Sequence, residues 1–237
     1  MTHQGPLLKV NEDGFDVDFE SKVFMIFDGF GGAHIGDKAV KFLSHEIKSY
    51  FTKLSFDPNA TMPLYYHPRN LIETNALLNA IMNAHQQLYT QNSVLPLPLR
   101  GGASAIISVL ADEVMSVIGI GNCEAYHFRL GHTHHLIQSD SFHLHQTEVF
   151  GRKNKMIPMS GFGLYSELNY TQRDFKIQSG DQLVFLTDGI HSQVSSDEIQ
   201  HLFLQHQHNY SELMNAILKL SNTRGNLDNQ TIMILEF

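Results

Sequence analysis

The chain has 237 residues, a formal net charge of −8, a 42% hydrophobic and 17% charged composition, and a single cysteine. That size suits one large domain of ordinary globular composition, and an acidic balance without a basic run argues against a nucleic acid or an anionic membrane as partner. Cys123 alone excludes an internal disulfide and fits a reducing cytoplasm, the start MTHQGPLLKVNEDG lacks the apolar core of a signal peptide, and no stretch nears the roughly 20 apolar residues of a membrane span, so a cytoplasmic location is expected.

In chain order, VFMIFDG (residues 23–29) reads as a short buried strand ending in a turn. GDKAVKFLSHEIKSYF places Ala39, Val40, Leu43, Ile47 and Tyr50 at three-and-four spacing, which predicts an amphipathic helix. A proline-containing loop follows, then a second helix from Leu71 to Leu88, then the breaker-rich connector NSVLPLPLRGG. From Ala103 the period shortens. ASAIISVL, EVMSVIGI, EAYHFRL and THHLIQ are four strand-like runs separated by turn residues, which predicts a meander of hairpins. Residues 141–168 are expected to form an irregular surface loop. RDFKI and DQLVFLTDG read as two strands joined at Ser179-Gly180. SSDEIQHLFLQ opens a helix with a capping box from Ser195 to Glu198, SELMNAILKLS forms another helix, and QTIMILEF is a closing strand. This order lacks strict βαβ alternation and predicts an α+β layered domain of antiparallel strands with segregated helices. With no repeat and no long linker, residues 1–237 read as a single domain.

Acids recur at strand ends. Asp28-Gly29 closes the first strand, Asp188-Gly189 closes LVFLT, Asp228-Asn229 precedes the last strand, and Asn11-Glu12-Asp13 lies beside the first. An Asp-Gly pair at a strand end is an ordinary turn signal. The glycines after Asp28 satisfy neither nucleotide-binding fingerprint. Carboxylates gathered at one edge would instead repel one another unless a divalent cation neutralised them. Oxygen-only donors suit Mg²⁺ or Mn²⁺, and two such ions can activate water for attack on a phosphoryl group. Both readings, turn and metal site, stand on spacing alone.

The ordered set NED (residues 11–13), FDGFGG (27–32) with Gly36 and Ala39, GGASA (101–105), IGNCEAY (120–126), LTDGI (186–190) and LDNQTIMI (227–234) resembles the metal-dependent protein phosphatases. These are the type 2C serine/threonine phosphatases, here in a compact form typical of bacteria, and the resemblance covers nearly the whole chain. It implies a β-sandwich of two antiparallel sheets flanked by pairs of antiparallel helices, four layers in the order αββα. It implies two Mn²⁺ or Mg²⁺ ions, bridged by Asp28, with the Gly29 carbonyl on the second and Asp188 and Asp228 on the first. Glu12 and Asp13 would order metal-bound water. The implied function is hydrolysis of phosphoserine and phosphothreonine in proteins by direct attack of a water bridging the two ions, without a phosphoenzyme. The implied partners are phosphorylated proteins and a cognate Ser/Thr kinase system, and the implied state is a monomer.

The sequence departs from the family pattern at several places. Leu8 stands where the family carries a bidentate phosphate-binding arginine, and the neighbouring Lys9 is only a point charge. Arg100, Arg152 and Lys153 are the candidate substitutes. Asn122 replaces an acid associated with a third metal, so that site is expected to be impaired. Phe30 excludes a histidine general acid at its position. The flap segment, roughly Val149 to Gly163, is short. A non-catalytic phosphoprotein-binding or regulatory module that has kept the fold is the alternative that Leu8 and Asn122 motivate. Among the fifteen histidines, His132, His134, His135, His143 and His145 fall close together, but adjacent strand residues face opposite ways, so surface positions are expected rather than a transition-metal site. Cys123 reads as a small buried residue, and Ser104 as packing near the site.

Overall fold

A computed structural model of the chain describes residues 1–31, 34–56, 64–96, 99–145, 154–206 and 209–237. Strand alternation builds the middle of the molecule. In β3 (Val23–Phe30), Val23, Met25 and Phe27 face one way and Phe24 and Ile26 the other. The first set packs on α1 (Ile35–Phe56) and α2 (Ile72–Ser93), and the second on another sheet. The same division recurs in β4 (Gly102–Ala111), where Ala105 and Ile107 meet the helices while Ile106 meets the opposing sheet.

Two five-stranded antiparallel sheets result. One has the order β10-β5-β4-β3-β2, with β2 at Gly14–Asp18, β5 at Val114–Ile120 and β10 at Thr171–Lys176. The other has the order β1-β12-β11-β6-β7, with β1 at Thr2–His3, β6 at Glu124–Arg129, β7 at His132–Ile137, β11 at Gln182–Leu186 and β12 at Gln230–Glu236. Between them lies a core that includes Ile26, Ile106, Val117, Leu183, Phe185 and Met233. Each large apolar side chain fully buried there contributes roughly 1.5–3 kcal/mol, and Met233 is the one in this group that keeps some exposure. The second sheet's outer face, through Val184, Leu186 and Ile232, packs on Ile190 of α3 (Asp188–His191), Ile199 and Phe203 of α4 (Ser196–Gln205) and Leu213 and Ile217 of α5 (Tyr210–Thr223). The α+β sandwich with its flanking helices matches the expected four layers.

Details differ from the expectation. The four runs after Ala103 do not form one meander. β4 and β5 pair in the first sheet, and the chain then crosses at Gly121 to β6, which pairs with β7 in the second. Likewise β10 pairs with β5 while β11 pairs with β6 and β12, so Ser179-Gly180 joins two sheets rather than a hairpin. Residues 141–168 are not simply an irregular loop: β8 (Ser141–His145) and β9 (Asn154–Pro158) pair antiparallel, and Phe162 is fully buried. His143 faces Met156 in the register, so alternating polar and apolar residues carry a strand that glycine and lysine content obscured. Both long helices outrun their predicted ends, α1 to Phe56 and α2 to Ser93. The capping box at α4 is present, with Ser195 and Glu198 satisfying each other's backbone N–H. Among the described residues no helix is long and apolar enough to cross a membrane.

Candidate active site

Pleating aims the acids at the seam between the sheets. Asp28 continues the Phe24 and Ile26 face of β3 and lies opposite Ser104 on β4. In β11, Leu183 and Phe185 face the seam, so Thr187 falls on the same side, and Asp188 follows as the first residue of α3. Glu12 and Asp13 precede β2, and Asp228 precedes β12. The two sheets therefore each supply part of one acidic cluster, although Asp28 and Asp188 are remote in sequence.

Hydrogen bonds lock the two contributions together. The Thr187 hydroxyl donates to Asp13 Oδ2 at 2.8 Å, and the Thr231 N–H donates to Thr187 Oγ1 at 2.8 Å. The Glu12 N–H donates to Asn229 Oδ1 at 2.8 Å, while Asn229 Nδ2 donates to the carbonyls of Gln4 and Val10. Asn122 Nδ2 donates to Asp188 Oδ2 at 2.6 Å, and the Gly36 N–H reaches Glu12 Oε1 at 3.3 Å. Close approach demands glycine at positions 29 and 189. A Cβ on Gly29 would lie 2.3 Å from the Glu12 carbonyl oxygen, and one on Gly189 would lie 1.8 Å from that of Asn229. Gly29 is thus fixed by the backbone of the N-terminal segment, a role that Asp-Gly spacing did not reveal.

The cluster is electrostatically uncompensated. Burial pushes the Asp13 carboxyl up to about 7, opposed by the Thr187 and Thr231 hydrogen bonds and reinforced by the charges of Asp228 and Glu12. Asp28 is held well above the usual carboxylate range by burial, then by Asp188, Asp13, Asp228 and Glu12. Asp188 is raised by burial and by Asp228 and Asp13, with the Asn122 amide working in the other direction. Among the described residues, none of these acids forms an ion pair with a lysine, arginine or histidine. The donors that do satisfy them, Thr187, Asn122 and backbone N–H groups, are neutral. A set of hard oxygens crowded together without a cation fits a divalent ion such as Mg²⁺ or Mn²⁺. As the side chains stand, no three His, Cys, Asp or Glu groups among the described residues close on a single point that could hold an ion. Asp188, Asp13 and Glu12 are each turned to a neutral donor instead.

The remaining predicted positions have definite environments. Cys123 is fully buried beside Asp28, whose backbone reaches it, and burial together with Asp28, Asp13 and Asp188 pushes its thiol well above its ordinary value. It stays protonated and is no nucleophile. Phe30 packs against Gly102 and Gly161, where a Cβ on either glycine would come within 2.9 Å of its ring. Leu8 is 39% exposed and carries no charge to the cluster. The Arg100 guanidinium donates through Nε to the Leu95 carbonyl at 2.9 Å. Arg152 and Lys153 lie outside the described residues. His132, His134 and His135 are exposed, as expected, whereas the side chains of His143 and His145 lie outside what is described. Thr187, Thr231 and Asn229 were not anticipated as site residues, although Thr187 and Asn229 directly adjoin the Asp-Gly and Asp-Asn signals.

A sandwich of two five-stranded sheets between helix pairs, with an acidic seam at one end, has close counterparts among solved structures. The S. agalactiae serine/threonine phosphatase superposes with a TM-score of 0.78 at 19% identity, covering 100% of this chain and 98% of that one. This is the type 2C phosphatase fold. PppA, a key regulatory component of T6SS in Pseudomonas aeruginosa, matches at TM-score 0.75 and 19% identity over 100% and 96% of the two chains. The catalytic domain of PstP, solved in complex with 2 manganese ions, matches at TM-score 0.70 and 21% identity over 100% and 95%. No protein-family model matches the sequence, and no curated protein matches it significantly.

Proposed function

We propose that the chain is a metal-dependent phosphatase acting on phosphoserine and phosphothreonine in proteins. The observation that carries this reading is the uncompensated group of carboxylates that both sheets bring to one seam. Asp28, Asp188, Asp228 and the Gly29 carbonyl would hold two Mn²⁺ or Mg²⁺ ions, and Glu12 and Asp13 would orient water. When bound, the ions supply charge neutralisation and activation of a water nucleophile for in-line attack on phosphorus. The protein's own part is positioning. Thr187 fixes the Asp13 carboxylate from the other sheet, and Asn229 fixes the Glu12 backbone. A protonated Cys123 is no nucleophile beside Asp28, in keeping with direct attack by water.

A cleft of about 750 Å³ opens at Asn11 and Asp13 and runs between β2 and α1 past Lys41 and Lys48 to Lys53, beside the acidic seam. Phosphorylated proteins, and a Ser/Thr kinase that makes them, are the corresponding partners. The manganese in the PstP structure supports the choice of ion.

The second reading is a non-catalytic phosphoprotein-binding or regulatory module. It is favoured by Leu8 in place of the arginine and by the engagement of Asp188 with the Asn122 amide. Two measurements decide. Purified protein with Mn²⁺ is assayed on p-nitrophenyl phosphate and on phosphopeptides beside an active type 2C control; failure on both substrates sinks the enzymatic reading. Titration calorimetry with Mn²⁺ is expected to show heat that Asp188→Asn removes, and absence of heat from the unaltered protein favours the second reading.

A further inference from the structure

The short helix α3 is held at both ends by one residue of the opposite turn. Asn122, 1% exposed, donates its side-chain amide to Asp188 at the start of the helix. Its backbone carbonyl lies 2.7 Å from Nε2 of His191 at the end of the same helix. A carbonyl only accepts, so Nε2 of His191 carries the proton. The other ring nitrogen, Nδ1, faces Glu124 Oε1 at 3.7 Å. Glu124 is itself held by the Tyr126 hydroxyl, by His135 Nε2 at 3.4 Å and by the Ser139 N–H at 3.5 Å. The His191 side chain is 3% exposed and that of Glu124 11%, so these contacts form away from competing water.

The contacts close a loop. It runs from Asp188 through α3 to His191, across to the Asn122 carbonyl, and back through the Asn122 side chain to Asp188. The Asp188 carboxylate accepts, so it takes the N–H of the Asn122 side-chain amide. With its backbone carbonyl held by His191, Asn122 keeps that amide within reach of Asp188. The Glu124 carboxylate beside Nδ1 favours a ring that carries protons, and so the Nε2–H that the Asn122 carbonyl accepts.

We infer that His191, backed by Glu124, is a positioning residue for Asp188, acting through Asn122. The inference rests on the proposed role of Asp188 as a metal ligand, but its consequence for the Asn122 amide does not. Neither His191 nor Glu124 is among the groups proposed to hold the ions.

The test uses the full chain and two readouts. In the metal-free protein, NMR is expected to show the Asn122 side-chain amide protons protected from exchange. His191→Leu should remove that protection, and His191→Gln, which carries an N–H donor near the position of Nε2, should restore most of it. Protection that persists in His191→Leu overturns the inference. The second readout is Mn²⁺ affinity by calorimetry, which needs no turnover. His191→Leu and Asn122→Ala are each expected to weaken binding about tenfold, and the double variant no more than either alone, because both act through one contact. A double variant weakened about a hundredfold, as independent sites would give, overturns the inference. So does a His191→Leu protein with lowered stability and unchanged Mn²⁺ affinity. If the unaltered protein binds no Mn²⁺, the metal reading fails, while the amide-exchange result still decides the role of His191.

Discussion

Replacing Asp13 by asparagine is expected to make the metal-free protein more stable. The Asp13 carboxyl rises from an ordinary value of 3.8 to about 7 because it is withdrawn from water and faces Asp228 and Glu12. That rise penalises the ionised native form by roughly 4 kcal/mol at pH 7. Part of the penalty belongs to the pairs with Asp228 and Glu12, so the substitution is expected to recover about half, roughly 2 kcal/mol. Asparagine keeps an oxygen to accept from Thr187, which limits the loss of contact. The sign follows from proton binding: with the folded-state value above the unfolded one, the native chain holds an extra proton between pH 4 and 7. Its stability in EDTA therefore falls as pH rises through that window. Urea unfolding in EDTA at pH 5 and pH 7 measures this, with the largest gain for Asp13→Asn at pH 7 and a flatter pH dependence. With Mn²⁺ present the order should reverse, because a bound cation favours the ionised carboxylate. A variant less stable than the unaltered protein in EDTA at pH 7 would refute the picture of an acidic cluster under repulsion.

Three further outcomes follow from other contacts. Asn122→Asp replaces the amide donor 2.6 Å from Asp188 Oδ2 with a like charge, so the metal-free protein should lose about 2 kcal/mol, and calorimetry should find additional Mn²⁺ bound; an unchanged unfolding midpoint in EDTA contradicts the contact. Gly189→Ala drives a Cβ to 1.8 Å from the Asn229 carbonyl oxygen, a backbone atom that cannot swing aside, and should cost about 3 kcal/mol by urea unfolding, where tolerance would show that the approach is looser. Arg129→Met removes the guanidinium that holds Asp181, 1% exposed, at a carboxyl value of about 2. The variant should be less stable at pH 7, because Asp181 loses its cationic partner. In the unaltered protein the contribution of this depressed carboxyl is lost as pH falls from about 4 through 2, and the variant should lack that acid limb.

Much of this arrangement was legible in the sequence because it depends on local pattern. Alternation in VFMIFDG and QLVFL, the three-and-four stripe of α1, and the Ser195–Glu198 box each specify an element without reference to distant residues. The acids were legible for the same reason: Asp-Gly and Asp-Asn at strand ends mark positions where a rigid backbone turns out of the core. What could not be read is long-range. Nothing in GIGNCEA announces that the chain changes sheets at Gly121, since a hairpin and a crossover use the same turn residues. The bonds from Thr187 to Asp13 and from Asn229 to the Glu12 backbone join residues far apart in the chain, so they follow from tertiary packing and leave no spacing signal. The pairing of β8 with β9 was hidden by a segment whose composition favours loops.

The division of the acids between two sheets turns the sandwich interior into a gauge block. Ile26 and Ile106 on one side, and Phe185 and Met233 on the other, set the gap across which Asp28 and Asp188 face each other. A methylene added or removed deep in that interior alters the separation of two carboxylates it never touches, because a close-packed core transmits displacement rather than absorbing it. Substitutions at Phe185 or Ile106 are therefore changes to the working distance of the seam as well as to the stability of the fold.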